Sequence, residues 1–399
     1  MKKILLFALS NFVLISMISA QINEEETKVP ESISESIFVS ENQHKLNFGG
    51  YGQIDYNQPF DKDFRKNGKL DVHRLVLFAG YQFNEKTKFI TEIEFEHVSE
   101  VYIEQAYLNY HVLNNLSIKG GLILIPMGII NEYHEPPSYN GVERPNTDNV
   151  IVPTTWREIG LGFDGRISTA SLRYQLYIVN GFNGYDGTGR FKGSNGLRNG
   201  RQKGAESYMS SPNLSAKLDY SGISGLKLGL SGYFGKSQSE LYDGLDKNDE
   251  LAQSTADSSV IGIRMVGLDY RYSTYGFQTR GQVIYSKFTN VYEYNSFTGS
   301  DMGESMLGYY AEIAYDIFNK NESIKNELTP FFRFEQYNTH QSVVSGMTKN
   351  DSYKRTELFL GFAFKMDRGA VFKVDYQWYK NATEKTYNSM INMGVGVWF

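Results

Sequence analysis

From Lys45 to the C-terminus, apolar residues recur at every second position instead of at helical spacing. Leu214, Ala216, Leu218 and Tyr220 alternate with Asn213, Ser215, Lys217 and Asp219. Phe372, Val374, Tyr376 and Trp378 alternate with Val371, Lys373, Asp375 and Gln377. A period of two places one set on each face of a β-strand. Sixteen segments follow this rule: 45–57, 70–83, 87–98, 101–111, 115–127, 157–166, 169–180, 212–220, 225–235, 259–271, 275–288, 304–317, 327–338, 353–366, 370–380 and 387–399. Many of them run to about 10 to 13 residues, the length that crosses a bilayer at a tilt.

The connections alternate in length. Tight turns at 84–86, 112–114, 167–168, 221–224 and 367–369 are interleaved with long connections at 128–156, 181–211, 236–258, 289–303 and 339–352. Short turns on one side and long loops on the other are the layout of a membrane barrel. The chain is therefore expected to be all-β: a transmembrane antiparallel β-barrel of about 16 strands over residues 44–399, with short periplasmic turns and long external loops. Two segments depart from the rule. Segment 70–83 is apolar on both faces at Leu75, Val76, Leu77 and Phe78. In 259–271, Arg264 shares parity with Val266 and Leu268, which predicts a bulge or a shifted boundary.

The N-terminus has a different pattern. A basic start, Met1-Lys2-Lys3, precedes an apolar stretch from Ile4 to Ile18 and the small pair Ser19-Ala20. This is the layout of a secretory signal peptide over 1–20. Residues 21–43 are rich in glutamate and serine without a sustained period, and are read as an acidic periplasmic linker.

Composition narrows the chemistry. The 399 residues include 29 Tyr, 26 Phe, 38 Gly and no cysteine, so disulfides and Cys-ligated metal centres are excluded. No internal apolar run approaches the ~18 residues of a membrane helix. The net charge of −5 gives no support to nucleic-acid binding. Gly160-Leu161-Gly162-Phe163-Asp164-Gly165 fits G-x-G-x-x-G, but the alternation of Ile159, Leu161 and Phe163 puts it on a strand, where no helix N-terminus meets a phosphate. The six histidines are scattered, and Glu132, His134 and Glu135 are read as loop hydrogen-bonding groups. No cofactor, metal or catalytic group is expected.

With the apolar face toward lipid, the inward face receives Arg74, Arg173, Arg280, Arg333, Arg355 and Lys373, among other cations, and a similar number of carboxylates. A tight turn at 84–86 brings Arg74 close to Glu96. The connection 128–156 has prolines at 136, 137, 145 and 153, with Pro126 just before it, and so is stiff. It either caps the barrel outside or folds inward; folded inward, it presents Glu132, His134, Glu135, Glu143, Arg144 and Arg157 to the lumen as a constriction. The Gly-rich connection 181–211, with Arg190, Lys192, Arg198, Arg201 and Lys203, is placed either to gather anions at the mouth, to contact lipopolysaccharide or simply to be solvated. The leading functional reading is a porin: a water-filled channel for passive diffusion of small hydrophilic solutes, without catalysis. The competing readings are a surface barrel that displays loops to a partner and an outer-membrane hydrolase.

Two resemblances extend this. The final strand, with Ile391, Met393, Val395, Val397 and terminal Phe399, resembles the last strand of bacterial outer-membrane proteins. That resemblance implies recognition by the barrel-assembly machinery and a Gram-negative outer membrane with lipid and lipopolysaccharide around the barrel. The partial Arg74-Leu75 strand after the first loop, Ala106-Tyr107-Leu108-Asn109-Tyr110, Gly121 to Pro126, Arg333-Phe334-Glu335 and Lys373-Val374-Asp375-Tyr376, in this order, resemble the phosphate-selective porin O and P family. The family implies a homotrimer of sixteen-stranded barrels in which a third loop narrows each pore and arginines and lysines guide anions. Leu122 and Leu124 stand where the family commonly carries the Gln and Lys of G-Q-F-K-x-P, which separates the barrel from phosphate selectivity.

Overall fold

The computed structural model describes residues 45–399 apart from 62, 322 and 368. The signal peptide and the acidic linker lie outside the described residues. The strands are β1 (Leu46–Phe60), β2 (Lys69–Gln82), β3 (Thr87–Glu96), β4 (Glu100–Leu113), β5 (Leu116–Leu124), β6 (Arg157–Ile167), β7 (Leu172–Val179) and β8 (Asn213–Ile223). They continue as β9 (Leu226–Lys236), β10 (Gly262–Thr274), β11 (Phe277–Thr289), β12 (Ser305–Tyr315), β13 (Glu327–Ser342), β14 (Lys354–Asp367), β15 (Ala370–Asn381) and β16 (Asn388–Trp398). Each pairs antiparallel with its sequence neighbours, and β1 closes the barrel on β16 with Tyr51 opposite Trp398. Phe399 finishes the seam: its N–H donates to Gly50 O at 3.0 Å and its carbonyl accepts from Gly50 N at 2.9 Å. A Cβ on Gly50 would lie 2.6 Å from the Val76 carbonyl and 2.9 Å from the Phe399 ring, so only glycine fits at this seam.

The alternation is realised strand by strand. Leu161 and Phe163 point outward and are exposed, whereas Gly162 and Asp164 between them are buried. The apparent dinucleotide motif is thus strand, and a Cβ on Gly162 would meet the carbonyl of Leu176 on β7 at 2.0 Å. Outward Ile178, Leu268 and Leu360 continue the apolar belt, and Tyr81, Phe83, Tyr110, Tyr220, Tyr275 and Tyr315 ring its turn-side edge. Aromatic girdles of this kind mark the membrane–water interface. Among the described residues no helix is long and apolar enough to cross a membrane; the strands make the crossing.

Turn-side connections are short at 83–86, 114–115, 168–171, 224–225 and 275–276, and longer at 316–326. Loop-side connections include 125–156, 180–212, 237–261 and 290–304, but 97–99 is as short as a turn. Two expectations are resolved. Arg264 lies in unbroken register, opposite Lys287 and Phe234, so of the two alternatives the bulge is absent and the boundary is shifted, from 259–271 to Gly262–Thr274; Arg264 faces outward at the loop-side rim, where a charge reaches water. The double apolar face of β2 has separate uses. Leu75 and Leu77 are exposed on the outside, while Val76 and Phe78 pack with Tyr51 inside.

The lumen is not polar throughout. Inward Tyr233, Ile263, Met265, Ile284, Phe288 and Met306 are fully buried near the loop-side ends of β9 to β12. They pack with Ile125, Met127, Ile151, Val152, Trp156, Phe182, Phe191 and Leu197 from the long loops, forming an apolar core inside the barrel. The loops fill that side because they carry enough apolar surface to leave water.

Candidate pore constriction

The loop 125–156 starts and ends at one point on the wall. The Asn131 side-chain amide donates to the carbonyls of Ile125 at 2.7 Å and Trp156 at 2.8 Å, and its oxygen accepts from Trp156 N at 2.7 Å. The ring of Trp156 stacks on Phe182 at 4.6 Å. From this clasp the loop crosses the lumen and is pinned on several strands. On β8, Lys217 donates to Gly128 O at 2.6 Å and pairs with Glu132 at 2.7 Å. Gln282 on β11 accepts from Ile129 N at 2.9 Å and donates to Asp148 at 2.8 Å. Arg280, also on β11, pairs with Glu312 and donates to Ser138 O, both at 2.7 Å. On β15, Lys373 donates to the carbonyls of Pro136, Tyr139 and Gly141, and Asp375 accepts from Val142 N at 2.7 Å. Prolines at 136, 137 and 145 lack N–H groups and reduce the number of donors the loop must satisfy inside.

Beside this loop remains a polar cavity of about 470 Å³. Arg144, Arg157, Arg198, Arg201 and Lys203 line it together with Arg74. Arg74 pairs with Glu94 at 3.3 Å. The other five differ: among the described residues, none forms an ion pair with a carboxylate. Arg198 donates to Asn149 O at 3.2 Å and Thr154 O at 2.7 Å, and Arg201 donates to Pro153 O at 3.1 Å and Thr155 O at 3.0 Å. Arg144 reaches Thr155 Oγ1 at 3.5 Å, leaving Nε and Nη2 without a partner. Arg157 and Lys203 lie over the Tyr102 ring, 5.7 Å and 4.3 Å from its centroid. Burial, and then Arg144, push Arg198 below the ordinary guanidinium value; burial, and then Arg198 and Arg157, do the same to Arg201. Lys203 is likewise lowered, by burial and then by Arg201. Two carboxylates at the same cavity are engaged elsewhere: Glu143 accepts from Asn57 at 3.2 Å, and Asp148 from Gln282; Glu96 also lines it and offsets part of the positive charge. The cavity therefore holds a surplus of positive charge with open donors, the arrangement that attracts and orients an anion.

The residues singled out from sequence fall into three groups. Arg74, Glu143, Arg144 and Arg157 line the cavity. Glu132, Arg173, Arg280, Arg333 and Lys373 hold the loop to the wall: Arg173 pairs with Glu132 at 3.4 Å and Asp219 at 3.6 Å, and Arg333 is fully buried over the Phe359 ring. Arg355 is exposed at the loop-side start of β14, away from the cavity. Arg74 does stand opposite Glu96 in the strand register, yet its ion pair is with Glu94. Arg198, Arg201 and Lys203, which sequence places at the mouth, reach the same cavity as Arg144. Their signal was a basic run in a Gly-rich loop; nothing local said that it folds over the third loop.

His134 and Glu135 are both buried under the loop. Glu132 and His134 part company: the carboxylate goes to Lys217, and the imidazole meets Glu104 on β4 at 3.3 Å. Two groups of ligand-type side chains form: Asp55, His73 and Glu143 at the cavity edge, and Glu92, Glu104 and His134 under the loop.

No protein-family model matches the chain. It is similar to an uncharacterized protein of Aquifex aeolicus (strain VF5), 33% identical over 340 residues that make up 83% of this chain and 75% of the relative. Among solved structures, it is similar to an anion-selective porin from Comamonas acidovorans (TM-score 0.57, 11% identity, 89% of this chain and 99% of that one). It is also similar to the outer membrane channel DcaP of Acinetobacter baumannii (0.54, 12%, 89% and 97%) and to OmpF of Salmonella typhi (0.53, 11%, 89% and 97%). These likenesses establish the fold of a transmembrane porin barrel. By sequence, the chain belongs to one family with the Aquifex aeolicus protein.

Proposed function

We propose that this member of the family is an outer-membrane channel that passes small hydrophilic solutes by passive diffusion, prefers anions and performs no chemistry on them. The observation that carries the reading is the set of Arg144, Arg157, Arg198, Arg201 and Lys203 around one polar cavity, with no carboxylate paired to any of them. A solute passing the third loop on this side exchanges water for guanidinium donors. Several cations at moderate strength let it bind and leave, as conduction requires. The apolar belt and the Phe399 seam support insertion in the outer membrane.

The solute class extends to oxyanions such as phosphate. The lysine that porin O and P relatives carry is Leu124 here, but its cross-strand partner is Arg157, which supplies a cation one strand away. In a planar bilayer under a salt gradient the purified protein should show stepwise conductance and a reversal potential of the anion-selective sign. Millimolar phosphate should reduce the chloride current. No conductance would overturn the channel; a cation-selective potential would overturn the role of the cavity; an unaffected chloride current would remove phosphate.

A further inference from the structure

A second constellation lies under the third loop, apart from the cations of the cavity. Glu92 on β3, Glu104 on β4 and His134 on the loop each bring one ligand atom within 4.8 Å of the others. All three are buried, at 4%, 0% and 1% exposure. His134 Nε2 stands 3.3 Å from Glu104 Oε2, and the edge-on ring of Tyr51 fixes the imidazole plane. Glu92 accepts from Gln105 at 2.9 Å, which orients its carboxylate.

Two atoms in this group are not accounted for by protein contacts. Glu104 Oε1 and His134 Nδ1 are both inaccessible, and neither has a hydrogen-bond partner. A wholly buried carboxylate oxygen without a donor is costly, and the usual remedies are a donor, a proton or a cation. Arg74 on β2 is engaged with Glu94, whose carboxyl group also adjoins Glu104 and adds a second negative group rather than a donor. Two carboxylates and one imidazole are the donor set of a divalent cation of borderline hardness. Metal–ligand bonds of 2.0–2.2 Å put tetrahedral ligand atoms about 3.4 Å apart. The group needs only small side-chain rotations to reach that spacing.

We propose that Glu92, Glu104 and His134 form a structural site for a divalent transition cation of the zinc type, which ties the loop 125–156 to the β3–β4 wall. The site draws two ligands from adjacent strands and the third from the loop, so that binding fixes the loop where the anion cavity begins. This is a function separate from conduction, and its readout does not depend on the channel reading.

The test uses the folded, full-length barrel in detergent after chelator treatment. Equilibrium dialysis against micromolar Zn²⁺, followed by metal analysis, should return one equivalent per chain. Glu104→Gln and His134→Gln should each weaken binding at least tenfold, whereas Asp55→Asn, which alters the other group, should leave it unchanged. X-ray absorption at the zinc edge of the unmutated protein should show an oxygen and nitrogen shell with one imidazole, a result that does not require any variant to fold. Absence of a stoichiometric site overturns the proposal, as does a bound zinc without imidazole. Binding that survives both substitutions, or is lost on Asp55→Asn, overturns it equally.

Discussion

The two sides of the lumen are built from strands with the same alternation, yet they end in opposite states. Along β9 to β12 the inward positions near the loop side are Tyr233, Met265, Ile284 and Met306, and loops seal over them with Trp156, Phe182 and Ile151. Along β1 to β3 the corresponding wall offers Gln53, Arg74 and Glu94, and there the 470 Å³ cavity remains. The third loop is the partition, apolar against one side and polar against the other, where loop 180–212 adds Arg198, Arg201 and Lys203. Period two thus tells which residues leave the lipid, but what they meet inside depends on the loops. An eccentric cavity follows from filling one side of the barrel.

The largest effect is expected from breaking the sealed side. Trp156 is fully buried and lies 4.6 Å from both the Phe182 and the Tyr233 ring. Trp156→Ala should cost about 3–5 kcal/mol, the range for a buried aromatic truncation. The measurement is the urea midpoint for unfolding in micelles, read by tryptophan fluorescence and gel mobility. Single-channel conductance should rise as the clasp at Asn131 loosens. An unchanged midpoint would mean that the apolar core contributes nothing to the barrel.

Next is the peg between the sides. Lys217→Ala leaves the buried Glu132 carboxylate with only Arg173 and Gln175. Stranding a buried charge costs roughly 3 kcal/mol. The loss should appear as faster hydrogen exchange at amides 128–135 while strand amides stay protected. Protection equal to wild type would show that the loop is held by the other anchors alone.

Charge reversal on the open side is smaller in energy but decides function. Arg144→Glu with Arg201→Glu replaces two cations that have no carboxylate partner, so no buried pair is broken. The anion-to-cation permeability ratio should fall about tenfold or more, about 1.4 kcal/mol in a cavity of intermediate dielectric. The same reversal at Arg333 and Lys373, which anchor the loop, should instead impair folding. Equal selectivity before and after would move the ion path away from this cavity.

Most of the barrel was legible in the chain because a membrane strand must alternate to face lipid and water at once. All sixteen segments correspond to strands, and the Arg74–Glu96 register came directly from the turn at 84–86. The site was legible only in part. Arg144 and Arg157 could be assigned to a narrowing because a stiff, proline-rich loop carries or borders them. Lys373 and Arg280 looked the same as pore-lining cations, but Lys373 is taken up by three loop carbonyls, and Arg280 by Glu312 and the carbonyl of Ser138, which lie far away in sequence. Arg198 and Arg201 carry no local sign that their partners are the carbonyls of 149–155. Long-range loop contacts leave no period in the sequence, and a short-range reading does not recover them.

The smallest effect sharpens the comparison from the open side. Lys203 is partly buried over Tyr102 and held below its ordinary 10.5 by burial, Arg201 and Arg157. A lowered ammonium value means that the charge is lost earlier as pH rises. Burial and Arg198 also lower Arg201, to about 9, so Lys203 and Arg201 are the cations of the cavity that lose charge as pH rises. Raising pH from 7 to 10 should therefore reduce the anion permeability ratio by about twofold, a partial loss of two charges out of several at screened distance. Lys203→Arg combined with Arg201→Gln should flatten that dependence, and 1 M salt should shrink it in both proteins. Among the described residues the sealed side has no comparable group facing a solute path, so a pH dependence that persists when Lys203→Arg is combined with Arg201→Gln would place the titrating group, and with it the path, elsewhere in the lumen.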